Sequence, residues 1–275
     1  MNINHEIELI NIISKDQLLK HYQGISDLFE ESFGKPLDIA LWHWAYTDNP
    51  FGDPLVSIAL YQGRVVGHYA VVPMDLENSS DKISGFLSMT TMVAVDFRMH
   101  KLFQRLAEMV YDRINKLGVA AIVFGFPNDN SAPGFSKRLG WTISEDYKVV
   151  RVKQNQIKEV VSLIQTLLAS DPYTLNLKLP SVREWRTTKP KQSWSYQNAL
   201  GVKPIGDQFD LMHIANAEQL GCIEFDTVIN MILPVNGNSG FDNAEISFPY
   251  RFGYRLFNTV KEPKLFVQMS MSDIF

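Results

Sequence analysis

The run FLSMTTMVAVDFRMHKLF at residues 86–103 decides the fold. Its first ten residues, 86–95, carry no charge and read as a strand buried on both faces. Leu102, Phe103, Leu106, Met109, Val110, Ile114 and Leu117 then share one helical face, and Gly118 stops the pattern. Residues 119–126 (VAAIVFGF) form a second apolar strand. Strand, helix and strand in this order predict a βαβ unit with a parallel pair.

Toward the N-terminus, the spacing predicts an edge strand over 6–13 and one helix over 15–33, stopped by Gly34. Two strand-like runs, 55–61 and 64–73, flank Gln62-Gly63, a tight-hairpin signal. Toward the C-terminus, a short helix fits 131–139, a strand lies near 147–153, and an amphipathic helix covers 154–169. Residues 171–200, with three prolines and two tryptophans, read as a linker or an ordered crossover. Residues 201–275 return to short strands, with a turn at 236–240, and the 86–141 pattern does not recur there. The expected organisation is a first domain at 1–153, a helix and linker at 154–200, and an α+β segment at 201–275.

The chain has 275 residues, 45% apolar and 20% charged, which is the profile of a folded globular protein and excludes a disordered or collagen-like chain. A net charge of −4, from 26 basic and 30 acidic side chains, argues against a dedicated nucleic-acid binder. The middle is nevertheless basic: residues 101–200 hold 15 basic against 8 acidic side chains, while residues 1–100 hold 6 against 13. One cysteine, Cys222, leaves no intramolecular disulfide and no cysteine-based zinc site, and reads as a small buried apolar residue. No metal is expected. Neither a leader nor a run of ~18 apolar residues is seen, so the expected location is the cytoplasm, away from membranes.

The strand-to-helix junction VAVDFRMHKLF at 93–103 carries the chemistry. A helix N-terminus presents unpaired N–H groups and partial positive charge, which suit a phosphate, and Lys101 and Arg105 add charge there. An ordinary turn with solvated basic residues is the competing reading. About 30 residues on come Gly125-Phe126-Pro127-Asn128, then Asn130-Ser131, then Phe135-Ser136-Lys137-Arg138-Leu139-Gly140-Trp141. With Val93, Arg98 and Leu102-Phe103 before them, these residues make the chain resemble the GNAT acyltransferase superfamily, in a subfamily of bacterial surface-polysaccharide gene sets. Trp44, Tyr46, Asn49-Pro50, Gly52 and the strand Val66–Ala70 are similar to that subfamily too. The resemblance covers residues ~5–153, and beyond 180 the chain is loosely similar to a truncated second GNAT-like domain.

The resemblance implies an α/β (α+β) GNAT fold, with a mixed, mostly antiparallel sheet and a splayed parallel pair. A smaller C-terminal GNAT-like α+β segment would follow. It implies acetyl-CoA as acyl donor, its pantetheine arm lying between strands 86–95 and 119–126. Backbone N–H groups near Val93 and Val95 would hold that arm and polarise the thioester. Arg98, Met99, His100, Lys101, Leu102 and Phe103 would surround the pyrophosphate, with Asn128 and Ser131 on the opposite strand. A small polar amine, for the subfamily an amino sugar or nucleotide-amino sugar, would attack the thioester directly, with Trp44, Tyr46 and Asn49 lining its site.

Alternatives accompany several of these residues. His68 suits removal of the amine's proton, or is a strand histidine satisfied by packing. Trp42, Trp44 and Tyr46 also suit the core face of a helix, and His43 suits packing. Asp96 and Glu77 are candidate bases or, as their place in turns favours, solvated carboxylates, and the terminal carboxylate of Phe275 is a further candidate base. Three departures from the family stand out: Lys101 for a usual glycine, Val95 for a frequent proline, and Ser136 for a tyrosine that often protonates the leaving thiolate. A Fem-like aminoacyl or acyl transferase and a non-catalytic GNAT scaffold stay open as readings, as does a homodimer built on residues 180–275.

Overall fold

A computed structural model describes residues 6–223, 228–235, 245–259 and 261–273; the turn expected at 236–240 and the carboxylate of Phe275 lie outside the described residues. The chain runs β1 (Ile7–Ile12), α1 (Lys15–Lys20), α2 (Tyr22–Phe33), α3 (Ile39–Tyr46), β2 (Leu55–Tyr61), β3 (Arg64–Pro73), β4 (Leu76–Glu77) and β5 (Lys82–Val93). It continues through α4 (Leu102–Asn115), β6 (Ala121–Gly125), α5 (Ala132–Leu139), β7 (Thr142–Ser144), β8 (Tyr147–Lys153), α6 (Ile157–Ala169) and β9 (Thr174–Leu175). The remainder is α7 (Pro180–Thr187), β10 (Ser195–Gln197), β11 (Leu200–Ile205), β12 (Gln208–Ile214), α8 (Ala217–Gly221), β13 (Val228–Pro234), β14 (Glu245–Pro249) and β15 (Phe252–Phe257).

Local chemistry explains the boundaries. Gln62 and Gly63 both take positive φ, 50° and 81°, as a two-residue hairpin turn requires. The helix expected over 15–33 is two helices, because the chain turns at His21, whose N–H already reaches the carbonyls of Gln17 and Leu18. Ser14 caps the first of them and Gly34, at φ 68°, closes the second. Residues 171–200 are ordered, carrying β9 and α7. Cys222 departs from expectation: it is exposed at the end of α8, with Sγ 3.4 Å from the Glu218 carbonyl.

The larger sheet has the order β1-β2-β3-β5-β6-β15-β7, and among the described residues only its β5 and β6 pair in parallel, over Ser84↔Ala121 to Leu87↔Phe124. Helix α4 lays Leu102, Leu106, Ala107, Val110 and Ile114 against it with no exposed area. Gly67 lets the helix approach, since a Cβ there would lie 2.9 Å from Leu106 Cδ1. The second sheet, β10-β11-β12-β13-β8-β14, is covered by α6 and α8 through Val160, Ile164 and Leu220. Its single parallel pair, β12 with β13, is matched at only two positions. Strand β8 thus belongs to the second sheet while β15 returns to the first, so no single cut in the sequence separates the sheets.

Where β5 begins its course past β4, Gly85 donates to Asp75 Oδ1 and accepts from Met74 N–H at 2.7 Å. A Cβ at Gly85 would fall 2.0 Å from the Met74 carbonyl oxygen, which is backbone and cannot swing away. Gly85→Ala is therefore expected to lower the unfolding free energy by about 2–3 kcal/mol in urea denaturation. Gly118→Ala, at φ 69° with nothing within 4 Å, provides the comparison and should cost about 1 kcal/mol. Equal midpoints for the two variants would show that the Met74 contact relaxes without cost.

Candidate active site

The site is built around a defect in β5. Pairing between β3 and β5 shifts between His68 and Ala70, so that Tyr69 opposes two residues, Thr90 and Thr91. Thr90 takes φ 50°, a left-handed conformation that is strained for a β-branched residue. Two side chains hold it there. The Tyr46 hydroxyl bonds Thr90 Oγ1, and His68 Nδ1 bonds the Thr90 carbonyl at 2.8 Å. A carbonyl only accepts, so Nδ1 carries the proton and Nε2 keeps its lone pair, buried and without a partner. Burial lowers the His68 imidazole to about 4 and raises the Tyr46 hydroxyl.

Just before the bulge the two parallel strands touch: a Cβ on Gly125 would lie 3.3 Å from the Ser88 carbonyl. Beyond that point β6 ends, while β5 runs on to Val93 along β3. From Ser88 to Val93 no described strand pairs with the other edge of β5, which leaves an open wedge.

At the far end of β5, Val93 is half-buried, Ala94 N–H donates to Val66, and Val95 is exposed at the head of a 3-10 turn, Val95–His100. Arg98, Met99 and Lys101 are exposed, while His100 sits beside the Phe97 ring. Lys101 occupies φ 56°, so a side-chain-bearing residue adopts the turn that glycine would take. No side chain caps α4. Leu102 is buried, and Phe103 meets Phe135 of α5 at 5.3 Å. The opposite wall starts at Asn128, whose Oδ1 accepts from the N–H groups of Asn130 and Ser131 in the turn before α5. Ser131 Oγ returns a bond to the Asn128 carbonyl, and Ser136 is exposed on α5.

On the other side of the bulge, Trp44 and Trp185 stack at 4.8 Å, and each indole N–H donates to the other's carbonyl. Tyr46 stacks on Trp42, and buried Asn49 donates to Pro73 while accepting from Phe51 N–H. His43 bonds Thr47, and Glu77 accepts from Asn176. Residues that the sequence did not single out complete the region: Thr90, Trp185, Arg186, and Tyr250, which stacks on Phe126 at 4.8 Å and bonds Ser272 Oγ. Among the described residues no group of three His, Cys, Asp or Glu side chains gathers to hold a metal, and no helix is long and apolar enough to cross a membrane.

The enclosed histidine has a thermodynamic signature. Its native value of about 4 lies below the ~6.5 of an unfolded histidine, so below ~6.5 the unfolded chain takes up a proton that the native one refuses. Stability is full above that value and falls as pH drops toward 4, on the order of 3 kcal/mol for this residue. His213, lowered by burial to about 3 and bonded to Ser270, acts in the same direction. Unfolding measured from pH 7 to pH 4 should show a shallower decline for His68→Gln than for the unaltered chain. Parallel curves would contradict the assignment.

Comparison with known proteins bears on the fold. Residues 16–144 match the family model described as an acetyltransferase (GNAT) domain. No curated protein matches the chain. Among solved structures, a GCN5-related N-acetyltransferase from Kribbella flavida superposes with TM-score 0.59 at 11% identity, over 92% of this chain and 72% of that one. A conserved protein of unknown function from Enterococcus faecalis V583 gives 0.61 at 8% identity, over 92% and 73%. A GCN5-related N-acetyltransferase from Anabaena variabilis gives 0.57 at 10%, over 90% and 72%. The likeness extends over both sheets. Residues 16–144 thus carry the match to the GNAT acetyltransferase domain, and the chain as a whole has the GNAT fold.

Proposed function

We propose that the protein is an N-acetyltransferase that moves acetyl from acetyl-CoA to a small polar amine. The observation that supports this most directly is the open edge of β5 from Ser88 to Val93, leading to the uncapped start of α4. An extended amide chain fits such an edge as a further strand would, and a diphosphate fits a helix N-terminus flanked by cations. Acetyl-CoA would supply the activated thioester. Arg98 and Lys101 hold the diphosphate, with Met99, His100, Leu102 and Phe103 shaping the loop and Val93 and Val95 offering backbone N–H groups. Asn128 and Ser131 border the arm from the other wall.

The amine enters beside Trp44, Tyr46 and Asn49, and an amino sugar or nucleotide-amino sugar is the proposed acceptor. Its nitrogen forms the new bond to the acyl carbon as the C–S bond breaks and the coenzyme leaves as the thiolate, and the amine gives up one proton to solvent. His68, held to the Thr90 carbonyl and lowered to about 4, acts as a positioning residue that sets the bulge. Position 136 carries a serine exposed to water, so the leaving thiol takes its proton there from solvent or from Ser136.

Titration calorimetry with acetyl-CoA tests the reading. Binding is expected, and Arg98→Ala should weaken it about tenfold. Lys101→Gly, which keeps the turn and removes the cation, should weaken it by a similar factor. Absence of binding at millimolar coenzyme would overturn the proposal.

A further inference from the structure

Where β6 leaves β5, four side chains form a chain of polar contacts that the acyl transfer above does not use. Trp141 Nε1 donates to the Tyr111 hydroxyl at 2.7 Å, and the Tyr111 and Tyr69 hydroxyls lie 2.8 Å apart. Ser88 Oγ donates to the Tyr69 hydroxyl at 3.5 Å, which is long for a pair of hydroxyls. Trp141, Tyr111 and Tyr69 are buried. Ser88 is half-buried, at the first position of β5 beyond the parallel pairing. A Cβ on Gly125 would lie 3.7 Å from Ser88 Cβ and 3.6 Å from Trp141 Cη2. The Ser88 side chain therefore stands at the apex of the wedge, on the sheet face that carries α4 and Tyr111.

Among the described residues this chain has four polar hydrogens and three contacts, so one hydrogen finds no acceptor within it. An indole N–H only donates, so the spare hydrogen belongs to a tyrosine while Ser88 points at Tyr69. Turning the Ser88 hydrogen into the wedge gives up a long contact. It lets Tyr111 donate to Tyr69 and Tyr69 donate to Ser88 Oγ. Every buried hydroxyl is then satisfied, and one donor faces the wedge, where an anionic acceptor suits it best.

The sulfur of a bound coenzyme falls in this place. At three bonds per residue, an arm of about thirteen bonds from phosphorus to sulfur spans on the order of 15 Å, or four to five residues of a strand. Counted back from Val93, that length ends beside residues 88–89.

We propose that Ser88 donates a hydrogen bond to the thiolate that leaves as the thioester is cleaved, with Tyr69 holding it in that orientation. This deepens the acetyltransferase reading and rests on it for the coenzyme. The C–S bond breaks with its electron pair going to sulfur. The Ser88 hydrogen stays on Oγ while it bonds that sulfur, and the thiolate takes up a proton only as it departs. Ser88 is thus a catalytic residue and Tyr69 a positioning residue.

The test compares coenzyme A with desulfo-coenzyme A by titration calorimetry at pH 7 and pH 9, and needs no acceptor. A free thiol ionises near ~8.5, so coenzyme A gains a charge on sulfur over this range and its analogue does not. Burial raises Tyr69 well above the ordinary phenol value and pushes Tyr111 up to about 12, so both stay neutral at pH 9. The other charge facing the pair is the Arg255 guanidinium, 4.8 Å from the Tyr111 ring centre. Cations around the diphosphate act on both coenzymes alike. The preference for coenzyme A over its analogue should rise about fivefold from pH 7 to pH 9. In Ser88→Ala the rise should fall below about twofold. Tyr69→Phe keeps Ser88 but removes the hydroxyl behind it, and should reduce the rise by about half. An equal preference at both pH values, a rise that survives Ser88→Ala, or one lost in Ser136→Ala instead would overturn the proposal. Failure of both coenzymes to bind would remove the acetyltransferase reading itself, and the proposal with it. A serine that only packs at the apex would shift the melting temperature and leave the pH dependence alone.

Discussion

Everything in this site depends on β5 being held against β3 on one side and released from β6 on the other. The instrument is the bulge at Thr90, and the force that maintains it comes from two buried hydrogen bonds, from His68 to the backbone and from Tyr46 to the side chain. A strained φ persists only where its surroundings over-determine it. Here the surroundings are a fully buried imidazole and a fully buried phenol, both poorly able to exchange their partner for water. The same bonds that anchor the bulge therefore tie α3 to the sheet, and the aromatic wall of α3 comes to stand beside the wedge.

The second half of the chain contributes to the same region by two routes. Helix α7 presses Trp185 onto Trp44, with reciprocal indole-to-carbonyl bonds that fix both rings. The segment after β15 then runs back through Gln268, which bonds Thr174 and Ile214, to Ser272 beneath Arg186. The residues around the proposed acceptor pocket thus come from α3, α7 and the segment 268–273, far apart in sequence and joined by side-chain-to-backbone contacts.

Legibility in the sequence follows from how local each cause is. The hairpin at Gln62-Gly63, the helix from Leu102 and the apolar strands around it are written in neighbouring residues, and they stand as read. Thr90 and Lys101 were harder, because each adopts a backbone conformation that glycine usually advertises. A threonine inside an uncharged run looks like ordinary strand. The loop around Lys101 was found by its basic residues, while the accommodation of the turn was not visible. The Asn128 oxygen accepts from Asn130 and Ser131, a bond between near neighbours in the chain. Arg186 is fully buried against Trp44, and nothing near it in sequence announces that contact. The helix expected through 15–33 missed a break at His21 that no proline or glycine marks.

The return of β15 has a consequence for how the molecule forms. Among the described residues strand β6 finds its antiparallel partner only in β15, with Gly125 opposite Gly253 and Ala121 opposite Phe257. During synthesis the first sheet therefore stays incomplete, with an apolar edge bare, until well over a hundred further residues have left the ribosome. Loops of that size close slowly, and an exposed β6 edge is a template for mispairing in the interval. The first sheet and its wedge become whole late, after the second sheet has had time to assemble, so the wedge is a product of the whole chain's folding and not of residues 16–144 alone.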